Sequence, residues 1–184
     1  MTCGDDVQKH NDFRASQKDP CLVPRETYGD LVIALLQRVT HARVDVAGEC
    51  VGAIQCGLLV LLGVERADSI READRLIERV LGYRVFADPD GKMNLSIQDV
   101  AGGLLLVPQF TLAADTAKGM RPSFSSAAIP EEGRRLFDYF VGRVRGRHAP
   151  VASGIFGADM KITLTNDGPV TFWLHARPDH RIAT

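Results

Sequence analysis

No stretch of this 184-residue chain is both long and apolar enough to suggest a bilayer-spanning helix. No uncharged run exceeds 15 residues; the most apolar, from Cys50 to Val64, is broken by Gly52, Gln55, Gly57 and Gly63 and falls short of the roughly 18 to 20 residues such a helix needs. The N-terminus lacks a basic segment followed by an apolar one, so no secretory signal is expected. A cytoplasmic protein with no membrane partner is the reading. Cys3, Cys21, Cys50 and Cys56 form no C-x-x-C pair and lie near no histidine cluster, which argues against a zinc or redox site. Cys50 and Cys56 read instead as small apolar residues flanking a buried strand.

Catalytic signatures are equally scarce. G-x-S-x-G is missing, which removes the strand-to-helix serine hydrolases. Neither a P-loop nor G-x-G-x-x-G occurs, so no cofactor is expected. The histidines His10, His41, His148, His175 and His180 are scattered without an H-E-x-x-H pair and read as surface or structural residues. Charge of one sign is also missing. The net charge is −1, so no global field marks a general nucleic-acid coat, and any such face would have to be local. Lys118, Arg121 and the run Arg143, Arg145, Arg147, His148 are candidates for phosphate contacts; an ordinary solvated face is the alternative for the run.

What is present suits one globular core. Hydrophobic residues make up 45% of the chain, and a domain of this size buries about 70% of the surface its unfolded chain exposes. Residues 1 to 30 carry six acids, four bases and few aliphatic residues, and read as a flexible N-terminal extension. Its presence raises the expectation of a misassigned start codon. From Leu31 the β signals come quickly: an apolar run to Val39, alternation through Ala42–Val46, an Ala47-Gly48-Glu49 turn, then Cys50 to Gln55 and Gly57 to Val64. Ser69 with Glu72 fits a capping box, and Ile70, Ala73, Ile77, Val80 and Leu81 recur at helical spacing, predicting a helix over Ser69 to Leu81. Asp88-Pro89-Asp90-Gly91 reads as a turn, because Lys92 and Met93 stand where a calcium loop needs a ligand and a glycine. Gly103 to Val107 predicts a strand. Pro130 followed by Glu131 and Glu132 predicts a helix start, with Leu136, Phe137, Phe140, Val141 and Val144 on its apolar face. Met160 to Asn166 and Val170 to His175 read as two strands joined by Asp167-Gly168-Pro169, with a loose tail over residues 177 to 184. Strands mixed with helices in this order indicate α/β layering.

Two segments are out of place in plain strands: Leu106-Val107-Pro108-Gln109-Phe110-Thr111-Leu112 and Asn166-Asp167-Gly168-Pro169-Val170-Thr171. A proline removes a ladder donor and a Gly-Pro step turns the chain sharply, so each segment exposes backbone more than side chains. Together they resemble the signature segments of the D-aminoacyl-tRNA deacylases. Further matches at Gln37-Arg38-Val39, Gly91-Lys92-Met93-Asn94, Arg121-Pro122-Ser123-Phe124 and Phe156-Gly157-Ala158-Asp159-Met160 extend the resemblance from about Leu31 to His175. It implies a three-layer β/β/α mixed-sheet deacylase domain over residues 31 to 176. The implied activity is chirality proofreading: metal-independent hydrolysis of the ester joining a D-amino acid, or mischarged glycine, to the 3′-terminal adenosine of tRNA. The implied partners are aminoacyl-tRNA and a second copy of the chain, in a homodimer whose active site lies at the interface.

By the same resemblance, Gln109, Phe110 and Thr111 are the catalytic segment, with N–H groups around Phe110 and Thr111 polarising the ester carbonyl. Pro108, Phe156, Met160, Gly168 and Pro169 bind substrate, Phe156 and Met160 packing the adenosine. Gly168-Pro169, with its proline in cis, would be supplied in trans to the partner's pocket, its carbonyls meeting the substrate's amino group, and Arg38 would brace it. An L side chain is then excluded by a clash with this main chain, and the RNA 2′-hydroxyl helps activate water. Pro108 departs from the serine common at that position and so lacks one N–H and one hydroxyl. Taken residue by residue, other readings stay open. Thr111 suits a strand, Phe110, Phe156 and Met160 suit a core, Arg38 suits a surface ion pair, and Gly168-Pro169 suits a hairpin turn. A non-catalytic RNA-end or protein-binding module and a metal-dependent hydrolase are the rival classes.

Overall fold

A computed structural model describes residues 32–117 and 119–176. The extension over residues 1–30, the tail over 177–184 and Lys118 lie outside the described residues.

The chain runs β1 (Val32–Val46), β2 (Glu49–Ile54), β3 (Gly57–Gly63), α1 (Ile70–Gly82), β4 (Phe86–Ala87), β5 (Met93–Leu95), β6 (Gly103–Pro108), a 3₁₀-helix (Phe110–Ala113), α2 (Pro130–Arg145), β7 (Val151–Ser153) and β8 (Met160–Ala176). Six strands form one sheet in the order β2-β1-β3-β6-β7, with β8 paired to β1. The β3–β6 and β6–β7 pairs are parallel, and α1 and α2 lie on the two crossovers as parallel pairing requires. Ser69 caps α1 as its spacing predicts: its hydroxyl accepts from Arg71 N–H while Glu72 accepts from Ser69 N–H. Burial alone would raise the Glu72 carboxyl, but its hydrogen bonds with Ser69 outweigh that and hold it below its usual range.

The central strands have no polar face, and the packing shows why. Leu58, Val60, Leu62, Leu104 and Leu106 join α1 and α2 in one core, whereas Leu59, Leu105 and Val107 face the opposite way, against Val39, Val44 and Ile54. The layers are therefore helices, a sheet half containing β3 and β6, and a second sheet half formed by β2 with the far ends of β1 and β8. A strand buried on both faces reads as a continuous apolar run, as Gly57 to Val64 does. The second half presses close at Gly52, where an added Cβ would lie 3.0 Å from Ser153 O.

Three details differ from the sequence reading, and one matches it. The stretches ending at Val39 and starting at Ala42 are one strand, kept continuous by pairing with β8 along its length. Met160–Asn166 and Val170–His175 do not pair with each other as a hairpin; both pair with β1, and the residues between them bulge out. Asp88–Gly91 is a turn, as its sequence predicts; it closes a small β4–β5 hairpin, and Asp88 accepts from Asp90 N–H, Lys92 N–H and Asn94 Nδ2. Cys50 and Cys56 are exposed rather than packed, because they stand at the two ends of β2, where the sheet turns.

Candidate active site

β6 ends where its last residue has no N–H to give. Pro108 pairs with Leu62, and the next residue, Gln109, donates its N–H to Leu62 O at 2.7 Å. The chain then leaves the sheet as the 3₁₀-helix Phe110–Ala113, so Thr111 is not the strand residue its propensity suggests. Gly63 permits this turn, since a Cβ there would lie 2.9 Å from Leu112 Cβ and 3.3 Å from Gln109 O. The N–H groups of Phe110 and Thr111 open the turn, where no earlier carbonyl of the helix accepts them. Gln109 Nε2 donates to Thr111 Oγ1. Backbone bonds between Asp115 and Ser123 close the following loop, and Phe124 packs against Phe110 with ring centroids 5.2 Å apart and the planes tilted by 53°. Phe110 is 59% exposed, which rules out its reading as a core aromatic.

Beside this turn lies a cavity of about 480 Å³. Pro108, Gln109 and Phe110 form one wall; Phe156, Met160 and Ile162 form another, and Pro130, Gly133 and Phe137 of α2 complete it. Two glycines shape it. A Cβ on Gly133 would lie 3.2 Å from the Phe156 ring, and one on Gly154 would lie 2.7 Å from Met160 Sδ. Of all the lining residues, only Gln109 has a hydrogen-bonding side chain and none has a side chain that titrates. Among the described residues no group of three or more His, Cys, Asp or Glu side chains stands close enough to hold a metal ion.

Gly168, Pro169 and Arg38 do not line this cavity. They form a second feature on β8. Between the pairs Gln37–Thr171 and Val39–Asn166, β1 has one residue, Arg38, and β8 has four. The surplus projects as a bulge whose tip, Asp167-Gly168-Pro169, is exposed. Asn166 clamps its base, Oδ1 accepting from Val170 N–H at 2.9 Å and Nδ2 donating to Val170 O at 3.2 Å. Arg38 Nη1 donates to Val85 O at 2.6 Å, and its Nε forms an ion pair with Asp167 at 3.0 Å without hydrogen-bond alignment. Gly168 has φ +113, and an added Cβ would meet Arg38 Nη2 at 2.7 Å. The Gly168–Pro169 bond departs from the expected cis form, for the cis bond among the described residues is Ala149–Pro150. The tertiary amide of an X–Pro bond leaves trans favoured by about 0.5–1 kcal/mol, and the contacts of this single chain do not reverse that preference.

The structure thus unites Pro108, Gln109, Phe110, Phe156 and Met160 around one cavity, sets Thr111 just behind it, and pairs Arg38 with the separate Gly168-Pro169 bulge. The sequence reading missed Gly63, Gly133 and Gly154, whose role is to lack a side chain, and Phe124, which a loop closure brings in.

A three-layer α/β domain whose cavity offers main chain in place of reactive side chains is the class of protein defined here. Residues 35–175 match the family described as D-Tyr-tRNA(Tyr) deacylase, and the chain belongs to that family. It is 64% identical over 147 residues to the D-aminoacyl-tRNA deacylase of Janthinobacterium sp. (strain Marseille), covering 80% of this chain and 99% of that one. It is 65% identical over 140 residues to that of Pseudomonas putida (strain W619), covering 76% and 97%. A solved structure described as a c-Myc DNA Unwinding Element Binding Protein aligns with TM-score 0.76 at 37% identity, over 79% of this chain and 99% of that one. Another, of a probable eukaryotic D-amino acid tRNA deacylase, aligns over the same shares with TM-score 0.68; at 19% identity it speaks to the fold alone.

Proposed function

We propose that this chain is a D-aminoacyl-tRNA deacylase, a cytoplasmic enzyme that hydrolyses the ester between a D-amino acid, or mischarged glycine, and the 3′-terminal adenosine of tRNA. The observation that carries the mechanism is the cavity lining: with no titratable or nucleophilic side chain on its walls, the groups left to act are backbone N–H groups and the substrate's own hydroxyl. Adenosine packs against Phe156 and Met160. The ester carbonyl lies at the opening of the 3₁₀-helix, where N–H groups of Phe110 and Thr111 polarise it; such donors contribute roughly 3 to 4 kcal/mol each to the transition state. The 2′-hydroxyl of the terminal ribose helps activate water.

The second copy of a homodimer completes the site. Its Gly168-Pro169 bulge enters the pocket and presents carbonyls to the α-amino group, so that a D side chain or hydrogen points outward and an L side chain collides with main chain. Arg38 holds the bulge in position. The exposed tip, braced from within its own chain yet apart from its own cavity, supports this reading.

Deacylation of matched D-tyrosyl-, L-tyrosyl- and glycyl-tRNA, with and without a chelator, tests it. D-tyrosyl- and glycyl-tRNA should be cleaved, L-tyrosyl-tRNA spared, and the chelator should change nothing. Absence of turnover would favour an RNA-end binding module, and loss of activity with chelator a metal-dependent hydrolase.

A further inference from the structure

The cavity wall formed by Phe156 is held from outside by a cation. Arg134, in the second turn of α2, lays its guanidinium carbon 5.1 Å from the centre of the Phe156 ring and donates from Nη2 to Phe156 O at 3.1 Å. The approach is possible because neighbouring positions are bare. Gly133 leaves room for the ring, and a Cβ on Gly157, which has φ +80, would lie 3.7 Å from Arg134 Nη2. Both glycines line the cavity, so the guanidinium stands at its mouth.

Its neighbours are differently engaged. Arg135 pairs with Glu132, and Arg143 pairs with Asp74. Arg134 is exposed, and among the described residues it has no carboxylate partner. A guanidinium has five N–H donors, of which the carbonyl of Phe156 takes one. In a chain of net charge −1, an unneutralised cation at the cavity rim is a local feature that the overall charge does not explain.

Resting on the deacylase reading, we infer that Arg134 is a positioning residue for the RNA strand: it buttresses Phe156 and offers its remaining donors to the phosphate preceding the terminal adenosine. Phosphate and guanidinium match in charge and geometry. A free amino acid ester would not engage this contact; a nucleotide strand would.

The experiment compares D-tyrosyl-tRNA with 3′-O-(D-tyrosyl)adenosine, which has the ester and the base but no phosphate, using the full chain. Arg134→Ala should raise KM for the tRNA about fivefold with kcat unchanged, as for one exposed charge contact. It should also flatten the slope of log(kcat/KM) against log salt by about 0.7, the share of one phosphate on a single strand. Cleavage of the adenosine ester should fall less than cleavage of the tRNA, because it shares only the support of Phe156, and Arg134→Lys should restore the salt slope by keeping the charge. Equal losses on both substrates, or an unchanged salt slope, would overturn the phosphate contact and leave Arg134 a support for the ring alone. A wild-type chain inactive on both substrates would instead defeat the deacylase reading beneath it.

Discussion

The cavity and the Gly168-Pro169 bulge sit on the same strand and are built in opposite ways. Where β8 begins, Met160 and Ile162 are half-buried and help form an apolar wall. Six residues later the alternation fails, with Asp167, Gly168 and Pro169 all exposed. There the shape is held by polar contacts from Asn166 and Arg38. At about 3.3 Å per residue, those six positions span up to roughly 20 Å along the strand. A wall made by burial needs the whole core behind it, whereas a projecting main-chain feature needs only a clamp and a brace. The contrast explains how one chain can hold a pocket and a projecting bulge that do not meet each other, and why a second copy is proposed to bring them together.

The sharpest way to break this comparison is to spoil the bulge alone. Gly168→Val adds a branched side chain at a φ that L residues rarely adopt, directly against Arg38. D-tyrosyl-tRNA turnover should fall at least a hundredfold, as misplacement by about 1 Å is enough to cause, with circular dichroism and sedimentation unchanged. Mixed with a Phe110→Asp chain, which keeps its bulge but loses its pocket wall, it should regain part of the activity through heterodimers with one intact site. Heterodimers without activity would place bulge and pocket action within one chain.

A smaller loss is expected from the brace. Arg38→Ala removes the donor to Val85 O and the partner of Asp167, and turnover should drop about tenfold as the bulge loosens. Arg38→Lys should not recover it, because an ammonium cannot serve both contacts with one planar group. Full activity in either variant would make the ion pair an ordinary surface feature.

On the cavity side, Thr111→Ala tests whether side chains matter at all. A loss of less than about tenfold is expected, against the roughly millionfold that follows removal of a nucleophile. Mass spectrometry of enzyme quenched during turnover should find no aminoacyl group on Thr111.

Changes remote from both features should leave turnover alone. Ser69→Ala removes the α1 cap and should cost about 1 kcal/mol of stability, lowering Tm by about 2–4 °C with kcat/KM intact. Glu72 belongs to the same cap, and its carboxyl is held below its usual range in the folded chain. The stability it contributes is therefore present above the unfolded value near 4.3 and is lost as pH falls through that range toward the folded value. Melting of wild type and Glu72→Gln should differ at pH 7 and converge as pH falls below the folded value. The smallest effect is expected from truncation to Val32. The family match spans residues 35–175 and so leaves out residues 1–30, and the shortened chain should keep its turnover in the same assay.

Much of the candidate site is legible in the sequence, but unevenly. Pro108 and Gly168-Pro169 announced themselves because each breaks a rule of strands, and such a break is visible in a linear pattern. The helices over Ser69–Leu81 and from Pro130 were equally plain, since capping and 3.6-residue spacing are local. By itself the sequence determined the α/β character, the two backbone-led segments, the two helices and the candidate residues on either side of the cavity. Tertiary structure decided what depends on distant partners. Pairing with β1 made β8 one strand with a bulge instead of a hairpin, because two long partners impose their register on the residues between. Packing determined that Phe110 would be exposed against Phe124 while Phe156 would form a wall supported by Arg134. Gly63, Gly133 and Gly154 show the same division: a glycine's place in the chain is written in the sequence, but the atom that needs its missing Cβ comes from residues 6 to 49 positions away.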